Sequence, residues 1–341
     1  MPDDLRVDAD RTALDLMLRG FMVSRMLRLI ADLGVADQVP PDGRAAVEEV
    51  ARARGATPTQ LRRVLRALAA FGVFDLTPDG SIGHTSRSLL LRTDAPRSLR
   101  HAARFWTGRG AWRAWEELDV AMQGGVPHEA AWGTGRFPYL RAHPEEARLF
   151  DAMMAHFPDS RHAGLAACYD FSGMRLVCDV GGGSGAALRH ILARFPSCRG
   201  LLLDLPDVVG AIPEAQRMEG RIEVRGGSFL DGVPGGADIY MLVRVLHDWS
   251  DADCLRILRN CRAAMAPDSL LLIGEQVLEA DPAQGDPLGY LLDMQMMAMF
   301  GEARERDAEE FRDLLAQAGF GLRRIIPTPA PVFSILEALP A

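Results

Sequence analysis

The run Asp179-Val180-Gly181-Gly182-Gly183-Ser184-Gly185-Ala186 constrains this chain more than any other stretch of it. An apolar segment, 176–180, precedes the glycines and an amphipathic one, 186–195, follows them, so the chain leaves a strand, turns and enters a helix within a few residues. Glycine lets the backbone come close to a ligand, and the helix N-terminus beyond it favours an anionic group. Read as G-x-G-x-x-A, the loop fits a dinucleotide fold, with Asp204 at the place of the ribose-binding acid, roughly 20 residues on. By itself the loop does not separate NAD from other adenosine cofactors.

The segments beyond the loop keep the same grammar. Strands are expected over 176–180, 200–203, 222–224, 238–245 and 270–277, with helices over 186–195 and 251–265. That alternation builds a doubly wound parallel sheet. Segments 321–326 and 332–336 flank Pro327-Thr328-Pro329, a spacing too short for a crossover helix, so the last two strands pair antiparallel.

The N-terminal part is different. Over 12–39, Leu14, Leu16, Met17, Leu18, Phe21, Met22, Met26, Leu27, Leu29 and Ile30 exceed what one helix face holds, and such a helix is buried by a partner. Segments 47–50 and 58–71, hinged at Gly55 with Thr57 as N-cap before Pro58, read as helix-turn-helix. Segments 73–76 and 81–84 around Thr77-Pro78-Asp79-Gly80 read as a two-stranded wing. Arg62, Arg63 and Arg66 lie on the helix that would enter a DNA groove, but the net charge of 38 − 46 = −8 repels a polyanion, and the apolar helix ahead favours dimerisation. The expected division is a winged-helix dimerisation domain over 1–100 and linker helices with an α/β domain over 101–341. Trp106, Trp112, Trp115 and Trp132 give the linker an apolar concavity.

Every one of the 38 basic residues is arginine, which excludes a Schiff-base lysine and the lysine of a P-loop and fits a GC-rich bacterial genome. Cys168, Cys178, Cys198, Cys254 and Cys261 are odd in number and lack metal-ligand spacing, so reduced thiols, no metal and a cytoplasmic setting are expected. The acidic start, Asp3, Asp4, Asp8 and Asp10, is unlike a signal peptide, and no uncharged stretch is long enough to span a membrane.

The loop, Asp179 directly before it, Asp204 in Leu203-Asp204-Leu205-Pro206 and the reversed strand together resemble class I S-adenosylmethionine-dependent methyltransferases. Arg244-Val245-Leu246-His247-Asp248-Trp249-Ser250-Asp251, then Gly274-Glu275, then Glu305-Arg306-Asp307-Ala308-Glu309-Glu310-Phe311 narrow the likeness. Over nearly the whole chain it resembles the small-molecule O-methyltransferases with an N-terminal winged-helix dimerisation domain, a family of plant caffeate-type and bacterial polyketide-tailoring enzymes. The resemblance implies a Rossmann-like methyltransferase sheet with a reversed last strand. It places Asp179, Gly181 and Gly183 at the methionine part of S-adenosylmethionine, Asp204 and Leu205 at the ribose, and Ser228 and Phe229 at the adenine, where the family usually has Asp in place of Ser228. Arg244 either closes the cofactor site from below or supports the strand end. Met154, Phe157, Asp293 and Met297 are the expected acceptor-site residues.

Methyl transfer to oxygen needs the hydroxyl proton removed, and a phenol has a pKa of about 10. His247, at a strand end over the cofactor cleft, suits general-base work near neutral pH, and the resemblance implies the same role. Glu275 ends the next strand, where a carboxylate fixes the imidazole tautomer. The family reading gives Glu305 a share of that support, although Gly301-Glu302-Ala303-Arg304 replaces the family's Gly-Gly approach. The expected activity is methylation of an aromatic hydroxyl of a bacterial secondary metabolite by a homodimer, with no nucleic-acid or membrane partner. Rival readings are hydroxylation or decarboxylation on the same scaffold, N- or C-methylation, an NAD-linked oxidoreductase, and a winged-helix ligand sensor.

Overall fold

At Arg19 the backbone leaves helical geometry (φ −96°, ψ 3°), so the apolar N-terminal run folds as α1 (Asp3–Leu18) and α2 (Gly20–Leu33) rather than as one helix over 12–39. Gly34, at φ 63°, supplies the left-handed residue that ends α2. The computed structural model describes residues 3–156, 158–330 and 333–341. It separates into one unit of Met1–Arg113 with Phe137–His156 and a second of Ala114–Arg136 with Phe157–Ala341.

In the first unit, β1 (Arg44–Ala46), α3 (Val47–Ala53), α4 (Pro58–Ala70), β2 (Phe74–Leu76), β3 (Ser81–His84) and α5 (Ser86–Leu89) form the winged helix. Thr57 takes the N-cap position of α4, though its side chain makes no capping bond. The wing has a third strand that the sequence did not announce: β1 pairs antiparallel with β3, and Arg44 ties it to Asp75 at 2.5 Å. Leu61, Leu65 and Leu68 recur along α4 at helical spacing and bury against Ile30, Val50, Phe74 and Ile82. Arg62 spends its guanidinium on the carbonyl of Pro78 in the wing turn. The unit runs past residue 100, because α6 (Arg100–Trp106) packs on α2. Along the chain then follow α7 (Arg109–Glu116), split between the units at residue 113, α8 (Pro127–Trp132), which belongs to the second unit, and α9 (Arg136–Ala142) and α10 (Pro144–His156), of which α10 also packs on α6.

The second unit resumes with α11 (Pro158–Cys168), β4 (Leu176–Val180), α12 (Ala186–Arg194), β5 (Arg199–Asp204), α13 (Pro206–Gly210), β6 (Ile222–Gly226) and β7 (Ile239–Val243). It continues through α14 (Asp251–Ala264), β8 (Leu270–Glu275), β9 (Val277–Leu278), α15 (Pro287–Phe300), β10 (Arg306–Asp307), α16 (Ala308–Gln317), β11 (Phe320–Pro327) and β12 (Ser334–Pro340). The main sheet has the order β11-β12-β8-β7-β4-β5-β6. β12 lies antiparallel between β11 and β8, and the other neighbouring strands are parallel. Both faces are covered, as parallel strands require: Cys178 and Val180 enter one apolar cluster, while Val177 enters the other.

Several strand ends differ from expectation, three of them for a reason or at a place that bears on the site. β7 stops at Val243 because Arg244 turns left-handed (φ 56°), and β8 stops at Glu275 because β9 leaves to pair with β10. The final strand is 334–340 rather than 332–336, and Val332 lies outside the described residues. All five cysteines are free thiols. Among the described residues, no helix is long and apolar enough to cross a membrane.

Candidate active site

The glycine loop crosses from β4 to α12 with Gly181, Gly183 and Gly185 at positive φ. Asp204, at the end of the neighbouring β5, accepts the N–H of Gly183 (2.8 Å) with one oxygen and that of Leu205 (2.7 Å) with the other. Asp179 lies beneath the loop, fully buried, and neither carboxylate oxygen has a hydrogen-bond partner among the described residues. Only glycine fits above it: a Cβ on residue 182 would stand 2.3 Å from the carboxylate. Burial, with the charge of Asp204 second, pushes the Asp179 carboxyl up to about 7. Phe229 crosses over Gly181 and meets Trp249 edge-on at 5.5 Å, and Ser228 Oγ accepts the N–H of Leu230 at 3.2 Å.

The second cluster forms where β7 and β8 end side by side. The left-handed Arg244 swings the chain into a single turn, Leu246–Asp248, over the end of β8. There Glu275 Oε1 accepts the N–H groups of Val245 and Leu246, both at 2.9 Å. His247 Nδ1 lies 3.3 Å from Glu275 Oε1 and 3.2 Å from Oε2. Arg244 donates to Glu275 at 2.9 Å and to Glu305 at 2.8 Å. Glu305 comes from far along the chain, delivered by the short parallel pairing in which Arg306 faces Val277. Its carboxylate grips Arg244, and its backbone N–H is accepted by Asp293 Oδ1 at 2.9 Å.

The charges set one another. Burial pushes Glu275 up, but His247 and Arg244 together outweigh it and hold the carboxyl well below the usual range. For His247, burial and Arg244 favour the neutral ring, whereas Asp248 and Glu275 favour the imidazolium and prevail, so its pKa is raised. Burial raises Asp248 and Asp293. Arg161 on α11 feels the same cluster: burial first and Arg244 second lower it to about 10.

The sequence-derived residues thus gather in two neighbouring groups at the ends of β4, β5, β7 and β8. Met297 lies half-buried one turn beyond Asp293 on α15. Met154 is on α10 in the other unit, and Phe157 falls outside the described residues. Three residues received no role from the sequence. Asp248 puts Oδ1 3.3 Å from His247 Nε2, and its place beside the histidine was the available signal. Arg306 and Arg161 gave none beyond their charge.

The profile of the O-methyltransferase domain matches residues 115–321, and that of the O-methyltransferase dimerisation domain matches residues 16–93. The chain belongs to the O-methyltransferase family. It is 40% identical over 329 residues to phenazine O-methyltransferase PhzM of Lysobacter antibioticus, covering 95% of this chain and 94% of that relative. It is 36% identical to 3-amino-4-hydroxybenzoate 4-O-methyltransferase of Streptomyces cremeus, covering 94% and 88%. The S-adenosylhomocysteine-bound structure of CalO1, a methyltransferase in calicheamicin biosynthesis, superposes with a TM-score of 0.86 at 32% identity, covering 98% of each chain. The protein is an S-adenosylmethionine-dependent O-methyltransferase. Its residues fit that cofactor: Asp179 offers a cationic ligand a buried carboxylate with no hydrogen-bond partner among the described residues, and the glycine cradle leaves no room for a side chain at residue 182.

Proposed function

We propose that this O-methyltransferase of bacterial secondary metabolism methylates an aromatic hydroxyl, with His247 as general base, Glu275 and Asp248 on the two sides of its ring, and Glu305 acting through Arg244. The observation that carries the reading is the imidazole itself: Nδ1 is held by a buried carboxylate, which directs Nε2 to the task of taking a proton. Glu275 then stabilises the imidazolium that results. S-adenosylmethionine supplies an electrophilic methyl group on a sulfonium. The acceptor oxygen gives its proton to His247 Nε2 and its electron pair to the methyl carbon, while the carbon–sulfur pair stays with sulfur.

Asp204 and Leu205 serve the ribose, Ser228 and Phe229 the adenine, and Asp179 with Gly181 and Gly183 the methionine end. Arg244 belongs to the catalytic carboxylates rather than to the cofactor, since both of its terminal nitrogens are spent on Glu275 and Glu305. Asp293 and Met297, one turn apart on α15, serve the acceptor. The exposed apolar side chains Leu14, Met17, Leu18, Phe21 and Met22 on α1 and α2 are the surface that a second copy covers in a homodimer.

The test is a panel of hydroxyphenazines, hydroxybenzoates and their amino counterparts with S-adenosylmethionine, read by mass spectrometry. An O-methylated product that His247→Ala reduces about a hundredfold or more supports the reading. N-methylated products alone would move the activity to nitrogen, and full turnover by His247→Ala would remove the base.

A further inference from the structure

The turn that presents His247 is held at its two ends by charges of opposite sign. At its amide end, Glu275 Oε1 accepts the N–H groups of Val245 (2.9 Å), Leu246 (2.9 Å) and His247 (3.4 Å). At its carbonyl end, Arg306 donates from Nη1 to Leu246 O (3.2 Å) and from Nη2 to Trp249 O (3.3 Å). The Arg306 side chain is only 1% exposed, and Asp251 Oδ1 fixes the guanidinium from the far side at 2.7 Å.

A single 3₁₀ turn cannot pair its own first N–H groups or its last carbonyls. An anion on the former and a cation on the latter is the arrangement its dipole favours. Both charges arrive on one small ribbon, because β9 follows Glu275 almost directly and β10 begins with Arg306, paired to Val277. A buried guanidinium needed for stability alone could have taken any carbonyls. Besides the carbonyl of Arg304, two residues before it at 3.2 Å, this one takes the two that bracket His247 and Asp248.

We propose that Arg306 is a positioning residue for methyl transfer: it fixes the carbonyl end of the His247 turn so that the imidazole stays between Glu275 and Asp248 with Nε2 presented to the acceptor. The inference rests on His247 as the base. Arg306 touches neither ring nitrogen, and it acts only through the backbone of Leu246 and Trp249.

The decisive measurement is the titration of the His247 imidazole by nitrogen NMR in full-length protein labelled at histidine, which needs no acceptor. His247→Asn identifies the resonance. In Arg306→Gln the turn loosens, the ring leaves its two carboxylates, and its raised pKa falls toward the ordinary value. Turnover of the best phenol from the panel falls about a hundredfold, as expected for a displacement near 1 Å. S-adenosylmethionine affinity by calorimetry stays within about twofold of the wild type. Arg306→Lys keeps the charge but not the fork geometry, and recovers part of the turnover.

An unmoved His247 titration with unchanged turnover in folded Arg306→Gln overturns the proposal. So does loss of turnover with the titration unmoved and cofactor affinity lost in step, which is what general destabilisation produces. Should Arg306→Gln not fold, Asp251→Asn loosens the same guanidinium from its half-exposed side. It must lower the His247 pKa, and an unmoved value counts against the proposal. Full turnover by His247→Ala would sink the base assignment itself, whereas an inactive His247→Ala beside a fully active Arg306→Gln sinks only the role of Arg306.

Discussion

Glu275→Gln separates charge and tautomer from shape at the centre of the site. The carboxamide oxygen must take over the N–H groups of Val245 and Leu246, each at 2.9 Å from Oε1 in the native protein. That choice turns its NH2 group toward Arg244 Nη1 and His247 Nδ1, which lie 2.9 and 3.2 Å from Oε2. Nδ1 then accepts a hydrogen bond instead of donating one, the ring proton moves to Nε2, and the base is blocked. General-base catalysis contributes about 10²- to 10⁴-fold, equivalent to roughly 2.7–5.5 kcal/mol in the barrier, and this is the expected loss in kcat/KM. Stability should fall by less, about 1–3 kcal/mol, because Arg244 keeps Glu305 and only its bond to residue 275 is lost. The assay pairs steady-state methylation of a phenolic acceptor with urea unfolding, and nitrogen NMR reports which imidazole nitrogen carries the proton. A folded Glu275→Gln enzyme with more than half of the native kcat/KM, or with its proton still on Nδ1, refutes the tautomer argument.

Asp248→Asn removes a charge that raises the His247 pKa. The neutral base then persists to lower pH, so the acid limb of the pH–rate profile moves down. Arg244→Met leaves Glu275 and Glu305 buried without their guanidinium, and the expected cost is about 3–5 kcal/mol, read from the urea midpoint. Asp179, with its carboxyl near 7, must ionise to favour a cationic ligand. Affinity for S-adenosylmethionine should therefore rise about tenfold from pH 6 to pH 8, with proton release visible by calorimetry in buffers of different ionisation enthalpy. Asp179→Asn should flatten that dependence, and a slope that survives the substitution assigns the proton elsewhere.

Much of this architecture is written locally. The glycine loop falls between β4 and α12 as the sequence indicates, because a strand-to-helix reversal has few solutions and glycine marks them. The short Pro327-Thr328-Pro329 link forces an antiparallel pair, and β11 and β12 form one. Asp307 and Glu310 make a reciprocal capping box that fixes α16 directly after Arg306, a local signal from which no helix was expected above. What escaped the sequence is carried by long-range partners. A three-residue strand such as β1 has no periodicity of its own and exists only because β3 accepts it. The left-handed Arg244 contradicts local preference and is held by two carboxylates, one of them 61 residues away. Arg306 reads as one more surface arginine until the β9–β10 ribbon carries it inward. The histidine and its first carboxylate could be named from the motif, but the parts that hold the turn in place could not.

The reversed strand has a consequence in time. β8, which carries Glu275, is flanked by β7 on one side and by β12 on the other, with Ser334 opposite Glu275. Ser334 is made 334 − 275 = 59 residues after Glu275, which at about 5–20 residues per second is a wait of roughly 3–12 s during synthesis. Through that interval β8 is an edge, with a row of open amides and carbonyls that another chain could pair with. A chain cut short anywhere in 276–333 therefore leaves its catalytic strand half-paired, because residues 334–340 are the wedge that completes it.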